Sequence, residues 1–491
     1  MQAIHFKTMD PISQNLLRSA SQRGIDLGWE RYEKLQPQDG FLRLGLSCPY
    51  GCMEGPCRID PFGRGADRGL CGLDRDGMVA AFLLRLSLQG VLESGEGKAG
   101  RRVFSEKSWS SPLKGLASRA LRVLGGSPLS SEEIFQGTLL LQRPKESPDR
   151  LIEQALRLGI LSVALSDREK PQAKGTKKLD LKVGYGLLEE TRPFIGVTGY
   201  PSGKVLSSLI QEASRKSAVQ VQVLSLGDWI PMEKGFLPFA CTSGEAELLL
   251  SSGKIHLLFA GSKTDTSLLT LCRNLDIPLV LAEESPDAAE TLRLARKRFS
   301  VQSQTKLVLD PSLTKAGRIT QDPQGLKNLI KKGSSGKLTL IGGADTLHQS
   351  MGWLPGEVAR TLGVEGYHVA SWGDAALWMI KNGLSSGREA SPVTILDPSQ
   401  GPLLALKALA SGSLGDLRGI CFVGLRACQD LTMALGLAAV GTRVCVAVPL
   451  PLWGSEKVRN LLAEKLEATG GTLTHFDHPA DPQEIVKWFQ G

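Results

Sequence analysis

The spacing of apolar positions changes character once along this chain, near residue 188. Before that point the apolar residues recur at helical intervals. Asp10 and Pro11 supply N-cap and first-turn residues for one short helix, with Leu16 and Leu17 on its apolar face. From Asp76 the run DGMVAAFLLRLSLQGVL predicts a long apolar helix, and further helices are expected near 112–124 and 148–160. Between the first helices and Asp76 lies a stretch broken by Pro49, Gly51, Gly55, Pro56, Pro61, Gly63, Gly65 and Gly69, which argues for a loop. Residues 166–190 read as the boundary.

Beyond it, short runs rich in Val, Ile and Phe alternate with helical stretches. FIGVTG, AVQVQVLSL, FLPFACT, KIHLLFAG and IPLVLAEE read as strands. GKVLSSLIQEASRK, GEAELLLSSG, SLLTLCRNL and AAETLRLARKRF read as helices. The break KKGSSGK at 331–337 precedes a second unit of the same kind, with strands LTLIGG, HVASW, VTILD, GICFVG and VCVAVPL and a closing helix QEIVKWF. Such alternation makes an open, mostly parallel, doubly wound sheet. The expected α/β organisation is a mainly helical domain over 1–188, then two doubly wound domains over 189–332 and 333–491.

The chain has 491 residues, of which 42% are hydrophobic, ample for cores of that number of domains. No run of eighteen apolar residues suggests a membrane span, and no secretory signal is visible, so the cytoplasm is the expected location. The net charge of +8 is diffuse. Its densest stretch, with Lys170, Lys174, Lys177, Lys178 and Lys182, reads as a solvated linker, and no aromatic interleaving points to nucleic acid.

Cysteine alters this picture. Nine cysteines without a signal argue against a disulfide framework. Four of them, Cys48, Cys52, Cys57 and Cys71, crowd into the glycine-bearing loop. Three thiolates there and a fourth returning nearby suit an iron–sulfur cluster, with glycines letting backbone amides approach the sulfurs and Arg58 and Arg68 offsetting charge. A structural zinc site with four cysteine ligands is the alternative, although zinc ribbons show two close pairs where this chain has a triplet and a singlet.

The wording of this segment, CPYGCMEGPCRI followed by GLCGLDRDGMVAAFLLR, resembles the cluster-binding region of anaerobic nickel–iron carbon monoxide dehydrogenases, which share a superfamily with hybrid-cluster proteins. The resemblance implies one helical and two Rossmann-like domains, and an electron-relay [4Fe–4S] cluster. Cys52, Cys57 and Cys71 match position by position, and Cys48 is offset by one residue. The family's upstream cysteine pair, which shares a cluster across a dimer axis, has no separate counterpart.

Weaker similarity continues downstream. FACTSGEAELLL resembles a segment that places Cys241 at a ligand of the catalytic cluster, and LRACQDLTMALGLA places Cys428 at another. LWGSEKV places Lys457 at an active-site lysine. Cys241 and Cys428 each precede a helix, whose N-terminal dipole favours a thiolate. The histidine motif is replaced by TGYPSG, with Tyr200 at the ligand position, and the turn reads as strand-to-helix despite the nearby Lys204. Glu93 and Glu96 lie where proton-handling histidines are expected. Cys272, Cys421 and Cys445 read as apolar core residues, and His475 and His478 as polar surface.

The expectation is a redox protein with one [4Fe–4S] cluster and an eroded catalytic site, without a nickel-containing cluster. A ferredoxin or flavoprotein is the expected redox partner, with a homodimer also implied by the resemblance. The alternatives are an oxidoreductase with a remodelled cluster around Cys241, Cys428 and Lys457, oxidising carbon monoxide or reducing a small molecule, and a zinc-stapled structural protein.

Overall fold

The structure is a computed structural model, and it describes residues 7–35, 40–50, 52–95, 111–125, 128–142, 146–167, 179–189, 191–215, 219–232, 235–301, 309–320, 326–327, 337–385, 393–398, 400–410, 416–477 and 479–491. Most of the lysine-rich linker, most of the 331–337 break, Glu96 and His478 lie outside these residues.

The described strands, in chain order, are β1 (Leu179–Val183), β2 (Phe194–Thr198), β3 (Gln222–Leu226), β4 (Pro231–Met232), β5 (Gly235–Phe236), β6 (Phe239–Cys241), β7 (Leu257–Ala260), β8 (Leu279–Leu281), β9 (Lys315–Thr320), β10 (Leu338–Gly343), β11 (His368–Trp372), β12 (Val393–Leu396), β13 (Leu417–Gly424), β14 (Arg443–Val446) and β15 (Thr472–His475). Every run named above as a strand overlaps one of them. The chain folds as α/β with mostly parallel sheet.

Two compact units emerge, each discontinuous in sequence: residues 1–34, 172–322 and 344–398 form one, and 35–171, 323–343 and 399–491 the other. In the first, strands run in the order β11-β12-β9-β1-β6-β3-β2-β7-β8, parallel except for β1 against β9. The stretch β6-β3-β2-β7-β8 is a doubly wound half: from β2 the chain steps one way through the helix Gly203–Ala213, and from β7 the other way through Thr266–Asn274. β2 is buried at every position, as a strand covered on both faces must be.

β1 was not expected within the helical region. Its sequence LDLKV alternates apolar and polar residues, and the alternate positions Leu181 and Val183 are buried. Lys182 therefore belongs to a strand, pointing outward, rather than to the linker.

The second unit carries the parallel order β15-β14-β13-β10. Its helical core is the helix Arg75–Gly95 packed on Pro148–Asp167 and Cys428–Ala439. Arg75–Gly95 is long and apolar enough, by length and composition, to cross a membrane. Here Met78, Val79, Leu83 and Leu84 are fully buried in protein core. Small residues let these helices approach. A Cβ at Gly436 would lie 2.1 Å from the carbonyl oxygen of Gly159, and one at Gly90 would lie 2.4 Å from that of Cys428. The obstructing atoms are backbone, so neither can swing away. Gly436→Ala is expected to destabilise the protein by about 1–3 kcal/mol in urea unfolding.

Candidate metal centre

The cysteine loop is two short hairpins held over the start of the helix Arg75–Gly95. In the first, Ser47 and Arg58 form an antiparallel bridge, the Cys48 N–H donates to the Cys57 carbonyl (2.9 Å), and the Ile59 N–H donates to the Leu46 carbonyl (3.1 Å). Leu46 and Ile59 are buried and anchor it. At its tip the Gly55 N–H donates to the Cys52 carbonyl (3.1 Å). In the second, Arg68 bridges Asp74, and the Gly72 N–H donates to the Gly69 carbonyl (2.8 Å), placing Cys71 at the tip. Gly72 has φ 84°, which a residue with a Cβ rarely adopts. The Asp74 carboxylate caps the following helix through the Gly77 N–H (2.9 Å). Arg85 donates to the Pro49 carbonyl (3.0 Å), tying the loop to that helix.

The hairpins meet at Cys57. The Leu70 N–H points at its sulfur (3.4 Å). A Cβ at Gly69 would sit 3.4 Å from the same sulfur, so glycine there leaves the thiol room. Cys52 and Cys71 are exposed, and Cys48 and Cys57 are half-buried. Burial pushes the Cys48 thiol up, against a contact with the Tyr50 carbonyl, and Cys57, Cys71 and Cys52 all push it further. The Tyr50 phenol is pushed up to about 12 by burial and by Cys48 and Cys71.

This donor set fits an iron–sulfur cluster. It is all thiol, and an amide is aimed at the Cys57 sulfur. Among the described residues, no three Cys, His, Asp or Glu side chains converge as a single ion requires. Tetrahedral zinc needs sulfurs at about 2.3 Å from one point.

The other three positions are placed differently. Cys241 ends β6 and is fully buried. Burial and Glu245 push its thiol well above the ordinary range, Lys381 only partly opposing. Around it is a polar network that the sequence did not reveal. The Lys381 ammonium lies 2.6 and 2.8 Å from the Glu245 oxygens and 3.0 Å from Asp10, over the rings of Tyr185 and Trp378. Burial opposes the charge of Lys381, but Glu245 and Asp10 outweigh it and hold the amine above its usual value. Glu245 also accepts from the Ser13 hydroxyl (2.6 Å) and the Thr242 N–H (3.0 Å). Asp345 accepts from the Thr242 hydroxyl (2.6 Å) and the Trp378 indole (2.7 Å). Asp374 accepts from the Ser243 N–H, the Ser243 hydroxyl and the Asp345 N–H. The local signal was Thr242-Ser243-Gly244-Glu245, a capping box. The residues it recruits are over a hundred positions away.

Burial pushes Asp374 up to about 6 despite these hydrogen bonds, and burial with Asp374 as neighbour pushes Asp345 well above its usual value. A raised carboxyl stabilises the fold fully below its ordinary 3.8, and that contribution fades as pH rises through about 6. The unfolding free energy of the wild type relative to Asp374→Asn should fall between pH 4 and 6 in a denaturant series, the variant's own curve being flatter.

Cys428 opens the helix Cys428–Ala439, but the dipole does not make it a thiolate. Glu93 accepts from the Gln429 N–H (2.8 Å), and Asp430 accepts from the Arg426 and Ala427 N–H groups. Carboxylates already occupy that helix end. Burial, then Glu93, pushes the Cys428 thiol up. For both cysteines the expectation of a dipole-favoured thiolate is thus corrected. Lys457 is an exposed residue in a 3.6 Å ion pair with Asp76, a contact worth about 0–1 kcal/mol. The TGYPSG turn joins β2 to its helix as expected, with Tyr200 exposed and in the left-handed region (φ 55°) and Asp228 accepting from Thr198 and Gly199.

No family model matches the chain. Carbon monoxide dehydrogenase 1 of Methanosarcina mazei is 50% identical over 85 residues, 17% of this chain and 13% of that protein. Carbon monoxide dehydrogenase 1 of Carboxydothermus hydrogenoformans is 46% identical over 89 residues, 18% and 14% of the two chains. The matched stretch thus spans only about one seventh of these relatives. Among solved structures, carbon monoxide dehydrogenase IV from Carboxydothermus hydrogenoformans superposes with a TM-score of 0.79 at 19% identity, covering 99% of this chain and 98% of that one. A carbon monoxide dehydrogenase from Thermococcus sp. AM4 gives 0.75 at 18%, covering 99% and 96%. The chain therefore has the carbon monoxide dehydrogenase fold over nearly its whole length, and is close in sequence to those enzymes over a stretch of some 85–89 residues.

Proposed function

We propose that the chain is an iron–sulfur electron-transfer protein on the carbon monoxide dehydrogenase fold, with one [4Fe–4S] cluster held by Cys48, Cys52, Cys57 and Cys71 and no nickel-containing centre. When bound, such a cluster supplies one-electron transfer. The observation that carries this reading is the contrast between two sets of thiols. Those of the loop share one surface-accessible double hairpin. That of Cys241 is sealed into core as a neutral group, beside a lysine already neutralised by two carboxylates.

The loop's residues divide the labour. Gly69 and the Leu70 amide leave space and a hydrogen bond for the Cys57 sulfur. Arg85 and Asp74 fix the two hairpins to the long helix. Met53, Phe62 and Leu70 project from the rim, 97%, 75% and 74% exposed. A redox protein such as a ferredoxin or flavoprotein, or a second copy of the chain, would meet the cluster across them.

The test is a carbon monoxide-dependent viologen assay on anaerobically purified protein, with nickel analysis. No turnover and no nickel are expected. Turnover with stoichiometric nickel would overturn the reading, and zinc in place of iron would overturn it differently.

A further inference from the structure

Tyr50 stands in the chain between Cys48 and Cys52, and its hydroxyl is out of the ordinary. The oxygen is buried and has no hydrogen-bond partner among the described residues. Buried phenols usually pair their O–H, so this one calls for an acceptor that the protein atoms do not supply. Glu146 is within electrostatic reach, but it is engaged with Arg150 (3.3 Å).

The loop fixes where this side chain stands. Arg85 donates to the Pro49 carbonyl (3.0 Å), and the Cys48 sulfur lies 3.9 Å from the Tyr50 carbonyl, so the backbone is held on both sides of the Pro49–Tyr50 peptide. The phenol is within electrostatic reach of Cys48 in the first hairpin and of Cys71 in the second. A phenol keeps its proton at neutral pH and is a donor there. Ser47 provides a contrast. Its hydroxyl is also buried without a partner among the described residues, but Ser47 pairs with Arg58 across the hairpin, so strand alternation puts it on the face opposite Cys48.

We propose that Tyr50 donates its phenolic O–H to a sulfur of the cluster held by the loop and raises the reduction potential of that cluster. The inference rests on the proposed iron–sulfur reading of the loop. Hydrogen bonds to charged acceptors are the stronger ones, and the reduced cluster carries one more negative charge than the oxidised one. The bond therefore favours electron uptake, as hydrogen bonds to cluster sulfurs do.

The full-length chain is purified anaerobically as wild type, Tyr50→Phe and Ser47→Ala, and iron and sulfide are measured before each potential. Tyr50→Phe should keep wild-type iron and hold its electron about tenfold less tightly, a potential about 59 mV lower. Ser47→Ala should keep the wild-type potential. Electron–nuclear double resonance on the reduced protein should show an exchangeable proton in the wild type that is missing from Tyr50→Phe. An unchanged potential in iron-loaded Tyr50→Phe, or an equal fall in Ser47→Ala, overturns the role of the tyrosine and leaves the cluster in place. Wild-type protein without iron overturns both. Should Tyr50→Phe not load, wild-type protein grown with 3-fluorotyrosine decides, because the other four tyrosines lie outside the loop. The more acidic phenol should raise the potential, and an unchanged or lower value contradicts the proposal.

Discussion

Cys57→Ser is expected to leave the purified protein almost free of iron and without the broad absorption near 400 nm that thiolate–iron clusters show. Its sulfur is where the hairpins converge, taking the Leu70 amide and facing Gly69. Serine offers a harder, shorter ligand that ionises poorly, so three thiolates would be left to hold the cluster. The fold should survive. Cys57 is half-buried in a loop, while the unit's stability resides in helices around Met78, Leu83 and Leu435. Far-ultraviolet circular dichroism should therefore be unchanged. Cys241→Ala and Cys428→Ser should retain wild-type iron, because neither thiol is expected to be an iron ligand. Loss of iron in either variant would show that the catalytic centre persists.

Lys381→Met should cost about 3–5 kcal/mol of unfolding free energy at neutral pH, the penalty for leaving buried charge uncompensated. Glu245 is 0% exposed and loses both of its ammonium contacts, while Asp10 loses one. Adding Glu245→Gln should recover much of the loss, since a neutral side chain of similar shape keeps the Ser13 and Thr242 contacts. Urea unfolding of the wild type and both variants at neutral pH measures both effects. A Lys381→Met protein as stable as the wild type would mean the network is not a structural core.

What the sequence disclosed was local chemistry. The runs VTILD and GICFVG are strands because a strand covered on both faces has little choice but to be apolar throughout. The cysteine loop was legible because its four cysteines sit within two dozen residues and its glycines forbid regular structure. The antiparallel β1–β9 pairing was not legible, because its partners are more than 130 residues apart and β9 reads KAGRIT, with little apolar pattern. The network around Cys241 was hidden for the same reason. Asp10, Glu245, Asp345, Asp374 and Lys381 are ordinary surface-type residues until the fold gathers them. Dipole reasoning misjudged Cys428 because it counted the helix and not Glu93, which reaches it from another helix.

The central claim is that the loop cysteines hold one cluster and that no second metal centre remains. Iron, sulfide and nickel analysis of anaerobically purified wild-type protein, with an electron paramagnetic resonance spectrum after reduction, tests it most directly. The expected result is roughly four irons and four sulfides per chain, a single reduced-cluster signal and no nickel. Nickel together with iron well above that amount, or a protein containing no iron, would contradict it.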